Sequence, residues 1–170
     1  MKLSKLLIGA VGTGKTEKLK EIVNQSNVKN VILASKYKEF EHLEFLNKEQ
    51  KAIHLYGHTD FDLMQLKERL KGFWGKREPV LVIFDECHPE YALDLLKSGK
   101  AFKWDVYFAS QELPPNFEKW INNSHSLLLF RLGKETLNEL SKVIDNLPKE
   151  EIAYFSTGQY VEIPNEALAL

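Results

Sequence analysis

The sequence predicts an α/β fold, a mostly parallel sheet with helices on both faces, and three observations predict it. Short apolar runs alternate with amphipathic stretches along the whole chain. Several of the runs are apolar throughout, Val80-Leu81-Val82-Ile83-Phe84 most clearly, which suits strands covered on both sides. With 170 residues, 44% of them hydrophobic and 28% charged, the chain has the material for one core; a domain of this size buries roughly 70% of the surface its unfolded form exposes.

Taken in order, the strands are expected at Leu3 to Ile8, Val31 to Ala34, Ile53 to Tyr56, Val80 to Phe84, Val106 to Ala109, Leu127 to Phe130 and Tyr160 to Ile163. Between them lie helical patterns. Lys15 to Val23 turns Leu19, Ile22 and Val23 to one side. After Thr59, Leu63, Leu66, Leu70 and Phe73 or Trp74 recur at three- and four-residue steps, with Thr59 and Asp62 spaced like a capping box. Further helices are expected at Pro89 to Lys97, Asn116 to Ile121 and Glu135 to Ile144. Prolines and glycines are dispersed and no repeat or low-complexity tract interrupts the pattern, so residues 1–170 are expected to form a single domain.

Composition excludes several function classes. Lys+Arg number 23 against Asp+Glu 24, so no global field draws in a polyanion, and any such partner needs a local patch. The lone cysteine, Cys87, can form neither an internal disulfide nor a thiolate zinc site, which fits a reducing compartment. The apolar part of the amino terminus is short for a signal peptide, and no run approaches the 18 or so residues that span a bilayer. A soluble, cytoplasmic protein is expected.

The strongest chemical signal is Gly9-Ala10-Val11-Gly12-Thr13-Gly14-Lys15-Thr16, which matches G-x-x-x-x-G-K-[ST] and sits between a predicted strand and a predicted helix. By residue frequency such a match arises by accident on the order of once per hundred sequences of this length. The glycines let consecutive N–H groups face one anion, and the following helix adds the positive end of its dipole. Lys15 is expected on the β- and γ-phosphates of a nucleoside triphosphate, and Thr16 on Mg²⁺.

A triphosphate-bound metal calls for a carboxylate at the carboxyl end of a nearby strand, and the most apolar strand here ends in Phe84-Asp85-Glu86. Asp85 is the candidate metal partner. Glu86 is the candidate base that polarises water against the γ-phosphate, a role a metal-bound Asp could not also fill. The alternative is that the acidic pair only caps the helix starting at Pro89. Cys87 reads as a packed thiol and His88 as a capping or surface residue. Gln111 stands just past another buried strand, where ligands of open α/β sheets collect, and could contact the γ-phosphate or the attacking water.

These residues resemble the FtsK/HerA branch of P-loop ATPases, which includes bacterial DNA pumps and small viral genome-packaging ATPases. The likeness spans Gly9 to Thr16, Val82 to Glu86, Ser98-Gly99-Lys100-Ala101-Phe102 leading into Phe108-Ala109-Ser110-Gln111, then Ile121-Asn122-Asn123 before Leu128-Leu129-Phe130-Arg131, and finally Ser156 to Val161 as a closing strand. The first two motifs are common to many ATPases; the Ser-Gln ending followed by Pro114, together with the Phe-Arg strand, points to this branch. The resemblance implies a RecA-like sheet order, a homo-oligomeric ring, a hexamer for instance, and ATP sites completed by a neighbour's arginine. Where the group places that arginine this chain has Lys97, Lys100 and Lys103, with Lys100 at the matching place; Arg131 and Arg77 are the other candidates. A lysine there would supply a point charge without the guanidinium fork.

The expected function is an ATP-hydrolysing motor with Mg²⁺ as its metal, moving or packaging DNA that is expected to be double-stranded, with a capsid or portal protein as a further partner if viral. Such an enzyme would work in the host cytoplasm or the virion. A filamentous phage or pilus assembly ATPase and a small-molecule kinase are the alternatives; the kinase is disfavoured because the chain holds only Arg69, Arg77 and Arg131 to clamp phosphates. Lys67, Arg69, Lys71, Lys76 and Arg77, interleaved with Phe73 and Trp74, form the densest basic cluster. It could meet a nucleic acid, or be a solvated helix face whose aromatics belong to the core.

Overall fold

The computed structural model describes residues 4–74, 76 and 78–167. Seven strands form one sheet: β1 (Lys5–Ile8), β2 (Asn30–Ser35), β3 (Lys51–Tyr56), β4 (Val80–Asp85), β5 (Trp104–Ser110), β6 (Ser126–Leu129) and β7 (Val161–Pro164). Each falls on an apolar run anticipated from sequence; Leu3 lies outside the described residues. The helices are α1 (Lys15–Gln25), α2 (Asp60–Trp74), α3 (Pro89–Phe102), α4 (Phe117–Asn123), α5 (Lys134–Leu140) and α6 (Lys149–Ala153), with 3₁₀ turns at Leu43–Phe45 and Asn165–Ala167.

The strand order is β3-β2-β4-β5-β1-β6-β7. Strands β1 to β6 pair in parallel and only β7 runs antiparallel, against β6. Side chains of successive residues go to opposite faces. Leu6, Ile8, Val82 and Phe84 join the side chains of α2 to α6 in one apolar cluster. Leu7, Leu33, Leu81 and Ile83 join Leu19 and Val23 of α1 in the other. This double coverage is why β4 is buried along its whole length and carries no alternation of polar residues.

Local signals explain the helix ends. The capping box at α2 is reciprocal: the Asp62 carboxylate accepts the Thr59 N–H at 3.0 Å, while the Thr59 hydroxyl accepts the Asp62 N–H at 3.3 Å. The Thr59 hydroxyl also donates to the Asp62 carboxylate, and this bond, together with the one from the Thr59 N–H, holds the Asp62 carboxyl below its usual range. The helix expected at Glu135 to Ile144 ends early, at Leu140, and Leu140 O then receives the N–H groups of both Val143 and Ile144 in tight turns. Ile144 stays in the core despite leaving the helix. α6 went unanticipated because a five-residue helix behind Pro148 is too short to show a period. Among the described residues no helix is long and apolar enough to cross a membrane.

Candidate active site

Interposing β5 between β1 and β4 sets the width of the site, because parallel neighbours lie about 4.8 Å apart and the loop after β1 therefore faces the end of β4 across roughly 10 Å. Gln111, the residue after β5, comes between the two.

The loop at residues 9–14 is fastened to both neighbours of β1. Gly9 N–H donates to Ser110 O at 3.2 Å, and Ala10 N–H to Arg131 O at 3.0 Å. Gly9 has to be glycine, since a Cβ there would stand 2.5 Å from the Phe130 Cβ. Gly14 has φ 96, the left-handed region, and a Cβ on it would come within 2.9 Å of the Gly158 nitrogen. Gly14 is also the N-cap of α1 and makes no side-chain cap bond, so no side chain caps the start of that helix. Lys15 folds back over the loop, with Nζ donating to Gly9 O at 2.7 Å and Ala10 O at 3.0 Å. It is 5% exposed, and burial outweighs the nearby Glu86 and Asp85 charges to lower its pKa.

Across the cleft, the Thr16 hydroxyl donates to Asp85 Oδ2 at 2.8 Å. The other carboxylate oxygen, Oδ1, is buried and finds no partner among the described residues. Burial pushes the Asp85 pKa up from 3.8 to about 6, with Thr16 opposing and Glu86 adding to the rise. A desolvated, half-satisfied carboxylate beside a hydroxyl is a fitting partner for a hard divalent cation. Among the described residues no three His, Cys, Asp or Glu side chains gather into a metal site. A cation here would thus draw its other ligands from phosphate and water, as Mg²⁺ ordinarily does.

Glu86 sits at φ 58, a conformation costly for a residue with a Cβ, and its N–H donates to Ala109 O at 3.0 Å. The turn aims its carboxylate into the cleft: Oε1 lies 3.9 Å from Lys15 Nζ, and Oε2 accepts the Gln111 side-chain N–H at 2.5 Å. A cleft of about 340 Å³ is lined by Val11 to Thr16 with Glu86 and Gln111, and also by Tyr37, Glu39 and Thr157. The acidic pair does not serve as the cap of α3; His88 holds that place at φ 46, without a side-chain cap bond. Cys87 is 1% exposed and burial pushes its thiol up to about 12, in keeping with a packing role.

Every residue of the phosphate loop, with Asp85, Glu86 and Gln111, therefore converges on one place. Arg131 is exposed and flanks the loop of its own chain through its carbonyl. Lys100 lies in α3 with its side chain outside the description, and Arg77 is outside the described residues. In the basic cluster, Phe73 packs against the core, Lys71 pairs with Glu68 and Lys67 covers the Tyr91 ring. Trp74 stacks edge-on with Phe102 and Trp104 at the amino ends of the strands, away from the cleft. Ser156 to Val161, read from sequence as a closing strand, is a turn up to Gln159 with β7 starting only at Val161, and the part that Thr157 and Gly158 play at the site, bonding to the loop from the far end of the chain, was missed from sequence.

No protein-family model and no curated protein matches this chain. Solved structures do. The genome packaging NTPase B204 from Sulfolobus turreted icosahedral virus 2, in complex with ATP-gammaS, has a TM-score of 0.71 at 14% identity over 99% of this chain and 94% of its own. The same NTPase in complex with AMP gives 0.70 at 13% identity, covering 99% and 96%. B204, the DNA-packaging ATPase from Sulfolobus Turreted Icosahedral Virus, gives 0.71 at 13%, covering 99% and 96%. The chain thus has the α/β P-loop NTPase fold of those structures over nearly all its length, which is the fold that the FtsK/HerA resemblance implied.

Proposed function

We propose that this chain is an Mg²⁺-dependent ATPase that drives the packaging or pumping of DNA. The observation that carries the reading is the meeting of the loop at residues 9–16, the Thr16–Asp85 pair and the Glu86–Gln111 pair in one cleft, on a fold shared with packaging NTPases. The loop amides and Lys15 hold the triphosphate, with the start of α1 adding its dipole. Thr16 and Asp85 would hold Mg²⁺, which when bound neutralises phosphate charge and orients the terminal phosphoryl group.

Hydrolysis then needs a positioned water and a proton acceptor. Glu86 accepts a proton as the water oxygen bonds to the γ-phosphorus, and the bond from that phosphorus to the β–γ bridging oxygen breaks, its electron pair leaving with ADP. Lys15 and Gln111 both engage Glu86. A γ-phosphate entering between them offers these two donors a doubly charged acceptor and leaves Glu86 free to orient water. Gln111 in this way links the presence of the γ-phosphate to the end of β5.

The remaining parts follow from the same reading. A ring of identical subunits lets a neighbour add a cation to each site, Lys100 or Arg131 being the candidates, as transition-state charge on phosphoryl oxygens demands. Double-stranded DNA is the polymer moved, a capsid or portal protein the docking partner, and host cytoplasm or virion the place of action.

The test is phosphate release from Mg-ATP, with and without double-stranded DNA, alongside mass by light scattering. Turnover raised by DNA in a multi-subunit particle is expected. A monomer that transfers the γ-phosphoryl to a nucleoside monophosphate and ignores DNA contradicts the proposal.

A further inference from the structure

A phosphate-binding loop turns its N–H groups toward the anion, so its carbonyls face outward and need donors from elsewhere in the chain. Two of them are met locally: Lys15 Nζ covers Gly9 O and Ala10 O, and the Thr13 hydroxyl also donates to Ala10 O, at 2.8 Å. The next outward carbonyls are met from the far end of the chain. Gly158 N–H donates to Thr13 O at 2.9 Å, and the Thr157 hydroxyl donates to Gly12 O at 3.3 Å.

The turn that carries these donors is itself firmly held. Gln159 Oε1 accepts the Ser156 N–H at 2.6 Å and Gln159 N–H donates back to Ser156 O at 3.0 Å. Gly158 takes φ 86, which lets its N–H face the loop. Just beyond, the Tyr160 ring lies 5.3 Å from that of Phe130, and Lys18 of α1 sits over Tyr160 at 4.9 Å. Phe130 is the side chain that excludes a Cβ at Gly9. The Ser156–Gln159 turn, the base of the loop and the first helix are therefore tied into one body, and Thr157 also lines the cleft.

We propose that this turn is a clamp that presets the phosphate loop, with Thr157 and Gly158 as positioning residues for nucleotide binding. The inference rests on reading the cleft as an ATP site. A loop whose outward carbonyls are bonded keeps its amides converged before the nucleotide arrives, so less ordering is charged against affinity. The clamp acts on binding and leaves the chemistry at Glu86 alone.

Thr157→Val removes the hydroxyl at nearly constant shape, and Thr157→Ser restores it. Three quantities are measured for both and for the wild type: calorimetric Kd for ATPγS, KM and kcat for ATP, and Tm without nucleotide. Thr157→Val is expected to raise Kd and KM about three- to tenfold, the worth of one hydrogen bond. Its kcat should stay within about twofold and its Tm should fall by no more than about 2–4 °C, and Thr157→Ser should return both Kd and Tm to near the wild-type values. Wild-type affinity in Thr157→Val, a lower Tm at unchanged Kd, or a serine variant as weak as the valine one overturns the clamp while leaving the ATP site standing. A wild-type protein that binds no ATPγS overturns the ATP reading itself, and the clamp with it.

Discussion

The two banks of the cleft are built on opposite terms. On the loop bank, the strained positions are glycines, the carbonyls of Gly9, Ala10, Gly12 and Thr13 are bonded, and Lys15 is lodged against the first two. On the carboxylate bank, Glu86 and His88 take left-handed conformations without being glycine, Asp85 Oδ1 has no partner among the described residues, and the Asp85 charge is desolvated. Unfavourable features of this kind persist only where the surrounding structure fixes them, and they gather where a ligand is to be bound. The contrast teaches that the loop bank is a finished receptor, whereas the carboxylate bank is held at a cost that a cation and a phosphate relieve.

The largest effect should come from emptying the finished bank. Lys15→Ala removes the charge-assisted contacts to the phosphates and should weaken ATP binding by at least about 100-fold in calorimetry. Retained affinity would mean that the loop is a mere connection between β1 and α1.

Asp85→Asn probes the other bank, where function and stability should move in opposite directions. The raised pKa means that the folded chain binds the proton more tightly than the unfolded one, so folding stability falls as pH climbs from about 4 to about 6, by on the order of 2–3 kcal/mol in all. Asparagine removes the buried charge. Without nucleotide at pH 7 its Tm should rise by about 3–6 °C and the slope between those pH values should flatten, while ATP hydrolysis is lost. By the same sign, Mg-ATP affinity of the wild type should drop as pH falls through 6. A variant that melts earlier than the wild type would show that Asp85 belongs to the scaffold.

Gly14→Ala should destabilise by about 1–3 kcal/mol, from a strained φ and a Cβ pressed on the Gly158 backbone, read as a lower denaturation midpoint. The smallest effect concerns His88. Its left-handed backbone suits asparagine better than histidine, so His88→Asn should raise Tm by about 1–2 °C and leave turnover alone.

The same contrast sorts what the sequence could disclose. Strands were legible because double coverage leaves unbroken apolar runs such as Val80 to Phe84. The loop was legible because a nest of amides needs glycines at fixed spacing, and Asp85 and Glu86 because they close the most apolar strand. The end of α5 was not, since Ile144 reaches the core from a turn as well as it would from a helix. Neither the place of β5 between β1 and β4 nor the bonds from Thr157 and Gly158 to the loop leave a mark in composition or period. They join residues up to 145 positions apart, and only the resemblance to FtsK/HerA enzymes hinted at the sheet order.

One bank of the cleft grips the triphosphate and the other attacks it, and Glu86→Gln separates the two roles within a single substitution. ATP affinity by calorimetry and phosphate release are measured on the same preparation. Affinity is expected within about threefold of wild type, with turnover lower by about 10²–10⁴, the usual worth of a positioned general base. Turnover that survives the substitution, or ATP binding lost in proportion to it, would contradict the claim.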